Sequence, residues 1–160
     1  MATSTLLQKL DRVTDPLVAG TVGSTTTTMD RSQTETFLAG SAIALGDWVA
    51  FDTTQTGVDR VLFVVPAALV ATGNALVCGV ARAAQATVGG RVEVVVGGYA
   101  ASAKCTAAIA AAGIPLIVVG TAATAEVHSG GAAAFSAPPC GTSLGAVAAG
   151  LAPVWVIKQF

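Results

Sequence analysis

Two adjoining glycines set the frame of this chain. Gly89-Gly90 separates the run Val77-Cys78-Gly79-Val80-Ala81 from Arg91-Val92-Glu93-Val94-Val95-Val96. A glycine pair between two β-patterned runs is a turn signal. The second run alternates charged and apolar residues, then turns apolar on both faces as far as Tyr99. Alternation places one face of a strand against a core, and an apolar continuation needs cover on both. The stretch 77–99 is therefore expected to supply the central strand pair of a barrel. Arg91 and Glu93 share its outward face. Nothing in it suggests chemistry.

The remaining strand signals fall at similar spacing. Trp48-Val49-Ala50-Phe51 follows the turn at Gly46-Asp47 and ends at Asp52-Thr53-Thr54. Residues 58–65 read as a strand that Pro66 stops, because proline cannot donate to a ladder. Further strands are expected at 114–119, 122–127, 144–149 and 154–157. Residues 104–113 fit either a short helix closed by Gly113 or a strand needing small inward residues. Short strands separated by Gly-rich turns, with no long helical periodicity, indicate an all-β chain with minor α content. The expected fold is a small β-barrel, β-tulip-like or sandwich domain over 37–160.

Residues 1–36 differ in texture. Thr25-Thr26-Thr27-Thr28 lies in a stretch with almost nothing apolar. Such a segment cannot offset its ordering entropy by burial of its own. It is read as an extended N-terminal arm, either loose or ordered against a neighbouring subunit.

Charged residues make up only 11% of the 160, about half the usual share, while 53% are hydrophobic, many of them alanine. Too few charges remain to solvate a whole free surface, so part of it is expected to be covered by a partner or by copies of the chain. A formal net charge of -1 without a basic cluster argues against direct nucleic-acid binding. Residues 105–125 carry no charge and are long enough to span a bilayer. Gly113, Pro115 and Gly120 break that run, which favours a strand between turns over a membrane helix. The N-terminal residues show no secretory signal. Cys78, Cys105 and Cys140 have no paired spacing and are expected to be buried free thiols in a reducing compartment.

Catalytic and metal chemistry is not expected. His128 is the single histidine, beside Ser129-Gly130-Gly131, and reads as a loop or interface residue. Three scattered cysteines and one histidine do not make a zinc set. No lysine-bearing phosphate loop and no Gly-x-Gly-x-x-Gly opening a helix is present. Asp47, Asp52 and Asp59 are close enough in sequence to suggest a cation site, but their turn positions favour solvated local hydrogen bonding. Trp48 and Trp155 are expected as core or interface anchors.

The succession of motifs over residues 37–157 resembles a known family. It comprises Gly46-Asp47-Trp48-Val49-Ala50-Phe51, Gly79-Val80-Ala81-Arg82-Ala83-Ala84 and Val92-Glu93-Val94-Val95-Val96-Gly97-Gly98-Tyr99. Ala111-Ala112-Gly113-Ile114-Pro115-Leu116 and Leu144-Gly145-Ala146-Val147-Ala148-Ala149, with Val154-Trp155-Val156, continue it. Together they resemble the small decoration proteins, also called cement or head-stabilising proteins, of tailed-phage capsids. The resemblance implies a β-barrel or β-tulip subunit, made in the host cytoplasm and mounted on the outer capsid surface of the virion. There it would act as a homodimer or homotrimer that clamps neighbouring major capsid protein subunits. It also implies no enzymatic activity, no cofactor, no contact with nucleic acid and no membrane. The candidate partner contacts are then Thr25, Thr26, Thr27, Thr28 and Arg31 in the arm, with Arg91 and Glu93 on the strand. Another phage head or tail component and a small-molecule-binding β-barrel are the alternatives.

Overall fold

A computed structural model describes residues 32–68, 74–128 and 137–159. Its order of elements is β1 (Ser32–Ala39), β2 (Trp48–Phe51), β3 (Phe63–Pro66), β4 (Val77–Ala81), β5 (Arg91–Lys104), β6 (Pro115–Thr121), β7 (Thr124–Val127), β8 (Gly141–Ser143) and β9 (Leu151–Val156). A 3-10 turn at Gly57–Val61 stands before β3, and no α-helix occurs among the described residues. The chain is all-β, as its pattern predicts.

All nine strands join one sheet in the order β1-β3-β2-β4-β5-β9-β8-β6-β7, with a further pairing of β1 to β5. That extra pairing closes a five-stranded barrel from β1, β3, β2, β4 and β5. β1 and β3 run parallel, whereas the other pairs within the barrel are antiparallel. Closure removes the sheet edges that an open sheet of this size would expose. β9, β8, β6 and β7 extend the sheet from the second half of β5. A bridge between Cys105 and Ala125, with Thr106 N–H donating to the Ala125 carbonyl at 2.9 Å, brings β7 back to the end of β5.

β5 explains why one strand can serve two cores. Val92, Val94 and Val96 point into the barrel beside Phe37, Val49 and Val64. Val95 points the other way, into a second core with Trp48, Val80, Leu116 and Val154. The change from alternating to doubly apolar sequence marks where the strand gains its second cover. Each fully buried valine or leucine contributes about 1.5–3 kcal/mol, so neither core is dispensable.

The strand also coils. Ala81 pairs with Val94, Gly46 N–H donates to the Ala81 carbonyl at 3.0 Å, and Lys104 N–H donates to the Gly46 carbonyl at 2.8 Å. A straight strand from Val94 to Lys104 would run about 33 Å, too far for one residue to reach both ends. An irregularity between Ala100 and Ala103 in the β9 register supplies part of the curvature.

β4 carries a second irregularity. Val49 pairs with Gly79 while the next residue, Ala50, pairs with Val77. The extra residue turns Cys78 into the barrel and leaves Val77 and Val80 on the outer core. Gly79 then lies so close to β5 that a methyl group there would collide with the Val95 carbonyl. Gly79→Ala must separate β4 from β5 and is expected to cost about 3 kcal/mol. Urea denaturation with far-UV circular dichroism measures that loss, and Gly57→Ala, where no atom lies within 4 Å, serves as the surface comparison.

Several expected elements shift. Residues 58–61 belong to the 3-10 turn, so only the second half of the strand expected over 58–65 forms. Pro66 is the last residue of β3 and pairs with Val49 at its end, where the missing N–H costs little. Residues 106–114 form turns between β5 and β6, neither of the two forms expected for 104–113. Residues 144–149 are a turn closed by an Ala148–Leu151 bridge, so the expected strand there is absent. β1 begins at Ser32, within the stretch read as arm, because Ser32 to Leu38 pair along β5.

Candidate partner-binding surface

Asp47, ahead of β2, is 5% exposed, and its Oδ2 accepts the Ala44 N–H at 2.7 Å. The Lys104 ammonium sits 2.5 Å from its Oδ1. Trp48, fully buried, donates its indole N–H to the Lys104 carbonyl at 3.0 Å. Gly46 holds the tight approach to β5, at a φ of 80° with the Ser102 carbonyl 2.8 Å from where a Cβ would stand. This cluster ties the barrel to the second sheet. It is structural, since every polar group in it is turned onto another.

Asp52 closes β2. Its carboxylate accepts Gln55 Nε2 at 2.9 Å, Thr54 Oγ1 at 2.7 Å and the Thr54 N–H at 3.0 Å. The Gln55 bond, followed by those from Thr54, holds its carboxyl below the usual carboxylate range. Asp47 and Asp52 are therefore buried, where the sequence suggested solvated turns, although their bonding is local as expected. Asp59 is exposed on the 3-10 turn. Among the described residues no three His, Cys, Asp or Glu side chains gather as a metal site.

The three cysteines are free and buried. Burial pushes the Cys78 and Cys140 thiols up to about 12 and the Cys105 thiol up to about 11. They remain protonated at neutral pH and are poor nucleophiles. His128 ends β7, with its N–H donating to the Pro115 carbonyl at 2.8 Å. No helix among the described residues is long and apolar enough to cross a membrane.

Of the expected contact residues, Thr25, Thr26, Thr27, Thr28 and Arg31 lie outside the described residues. Arg91 and Glu93 both lie exposed on β5. Glu93 pairs with Arg82 at 3.7 Å, across the hairpin and not with a distant strand. Both side chains are half exposed, so the pair contributes well under about 1 kcal/mol. The Arg91 guanidinium meets no acceptor among the described residues.

Apolar groups dominate the rest of the surface. Val58, Val61 and Leu62, on and after the 3-10 turn, are 75%, 57% and 47% exposed. Trp155 is 41% exposed, and its register places it beside Tyr99 and Thr142 on the outer face of β5, β9 and β8. Leu144 and Ile157 extend that face. Sequence reading missed the first group by assigning it to a strand. The glycine before it, Gly57 at a φ of 58°, was the available signal.

A cleft of about 160 Å³ lies inside the curve of β5, lined by Leu45, Val80, Arg82, Val95, Tyr99 and Ser102 among others. Pockets for drug-sized ligands span about 300–1,000 Å³. The barrel interior is filled by its own side chains.

Compared with known protein families, the chain matches no family model. No curated protein matches it significantly either.

Proposed function

We propose that this protein is a structural virion component. It decorates the outer surface of an icosahedral phage capsid and stabilises it by clamping neighbouring major capsid subunits. The observation that carries this reading is the surface. Val58, Val61, Leu62, Leu144, Trp155 and Ile157 stand exposed on a chain with only 11% charged residues. Exposed apolar groups at this density favour coverage by other proteins. The motif succession over 37–157 names the partner, and a closed, doubly cored barrel is a stiff mount for contact loops. On this reading the protein has no enzymatic activity and needs no cofactor. It forms homo-oligomers that match capsid symmetry, and it contacts neither nucleic acid nor membrane. The size of the cleft weighs against a small-molecule-binding barrel.

Sedimentation with purified capsids tests this. The protein is expected to pellet with heads and to raise their melting temperature. Removal of residues 1–31, which keeps β1 whole, is expected to weaken binding through loss of Thr25, Thr26, Thr27, Thr28 and Arg31. Heads that melt unchanged and leave the protein in the supernatant would refute the reading.

A further inference from the structure

β1 is paired on both edges only at its end. Leu38 and Ala39 pair with β3 as well as lying along β5, whereas residues 33–37 pair with β5 alone. The direction of the amides follows from two hydrogen bonds. Ala39 N–H donates toward β5, to Gly90, and Leu38 N–H donates to the other side, to Leu62. Amide direction alternates along a strand, so the N–H and C=O groups of Thr36 and Thr34 also point away from β5. The register irregularity near Gln33 adds its extra residue, Val96, to β5, so alternation along β1 is unbroken. Beyond Leu38, no backbone group among the described residues meets this edge. Gln33, Thr34, Glu35 and Thr36 are all exposed, where a strand with one covered face would alternate. Leu62, bonded to Leu38, and the adjacent Val61 bring exposed apolar side chains to the same edge.

We propose that this open edge binds a second copy of the chain, strand to strand and antiparallel, with the two-fold axis at Thr34. Natural sheets cover, charge or bend such edges, and here the described residues do none of these. The register is chosen by charge. An axis at Thr34 sets Gln33 opposite Glu35 of the second copy, an amide against a carboxylate on both sides of the axis. An axis one half-step away, at Glu35, brings two carboxylates together. Gln33 Nε2 already lies 3.4 Å from Glu35 Oε1 within its own strand, so both groups stand on the outside of the edge. Val61 and Leu62 of each copy add apolar cover to the short ladder. This specifies the homo-oligomer of the proposed function but does not depend on capsid binding.

Two variants test the contact on the full-length protein. Thr34→Cys puts a thiol at an exposed position while the three native thiols stay buried. Hydrogen-bonded partners across an antiparallel pair have Cα atoms about 5.5 Å apart, within disulfide range. Mild oxidation is expected to give a linked dimer on a non-reducing gel, with far less from Glu35→Cys. Thr36→Pro deletes an N–H on the open edge and leaves the β5 ladder intact. It is expected to weaken the dimer at least about tenfold in sedimentation equilibrium, with the far-UV spectrum unchanged. Wild-type protein that remains monomeric at about 100 µM overturns the proposal. So does a dimer indifferent to Thr36→Pro, or Thr34→Cys protein that fails to cross-link. A monomer whose capsid binding falls with Thr36→Pro assigns the edge to a different partner and also overturns it. Because no capsid enters the first two measurements, their failure is distinct from failure of the decoration reading.

Discussion

Trp48→Ala is expected to cost about 3–5 kcal/mol, measured as the shift in urea midpoint at constant slope. A domain of ordinary stability holds about 5–15 kcal/mol in total, so the variant sits near the edge of folding at 37 °C. The indole is fully buried in the core between the barrel and the second sheet. Its N–H bond to the Lys104 carbonyl ties the start of β2 to the end of β5. Around it, Trp48 N–H donates to the Ala123 carbonyl at 3.0 Å, and its own carbonyl accepts Ala67 N–H at 2.8 Å. The ring also packs against Gly141, whose missing side chain leaves it room. Trp48→Phe retains most of the packing and loses the indole bond, for a smaller loss of about 1–2 kcal/mol. A Phe variant as damaged as the Ala variant would show that the hydrogen bond, and not the packing, dominates at this position.

Alkaline pH is expected to unfold the protein well before its lysines titrate. The three buried thiols have folded pKa values of about 12, 11 and 12, against about 8.5 in an unfolded chain. Raised pKa values mean that the folded state keeps protons that the unfolded state gives up. The associated stability is complete below about pH 8.5 and is lost as pH rises through the folded values. With three thiols ionised only in the unfolded chain, stability falls by about 4 kcal/mol per pH unit above about pH 9.5. Urea melts at several pH values between neutral and pH 10.5 measure this slope. Cys140→Ala is expected to reduce the slope by about one third, since each thiol contributes separately. Stability that stays flat to pH 10 would mean that the thiols reach solvent.

Much of this fold is legible in the residues because it depends on local pattern. The glycine pair at 89–90 predicts the β4–β5 hairpin, and Trp48-Val49-Ala50-Phe51 coincides with β2. The apolar setting of each cysteine predicts its burial. Arg91 and Glu93 face outward because alternation alone fixes the face of a strand. Local pattern misleads where a neighbour decides. Val58, Val61 and Leu62 have strand-like composition, but no strand lies beside them, and they turn outward after Gly57. Ser32 to Thr36 look too polar for a sheet, yet they lie along β5, because backbone pairing does not require apolar side chains.

The sequence by itself determined an all-β chain, the outward face of its central hairpin, three inert thiols and a surface too poor in charge to be fully solvated. Only the tertiary structure decided that the barrel closes, because β1–β5 closure joins segments whose side chains give no pairing code. It alone decided that Lys104 meets Asp47 and Trp48, since the coiling of β5 brings those groups together across the chain. It alone showed which edge of β1 stays open. Composition and alternation set what each residue buries, and long-range register sets what each residue meets.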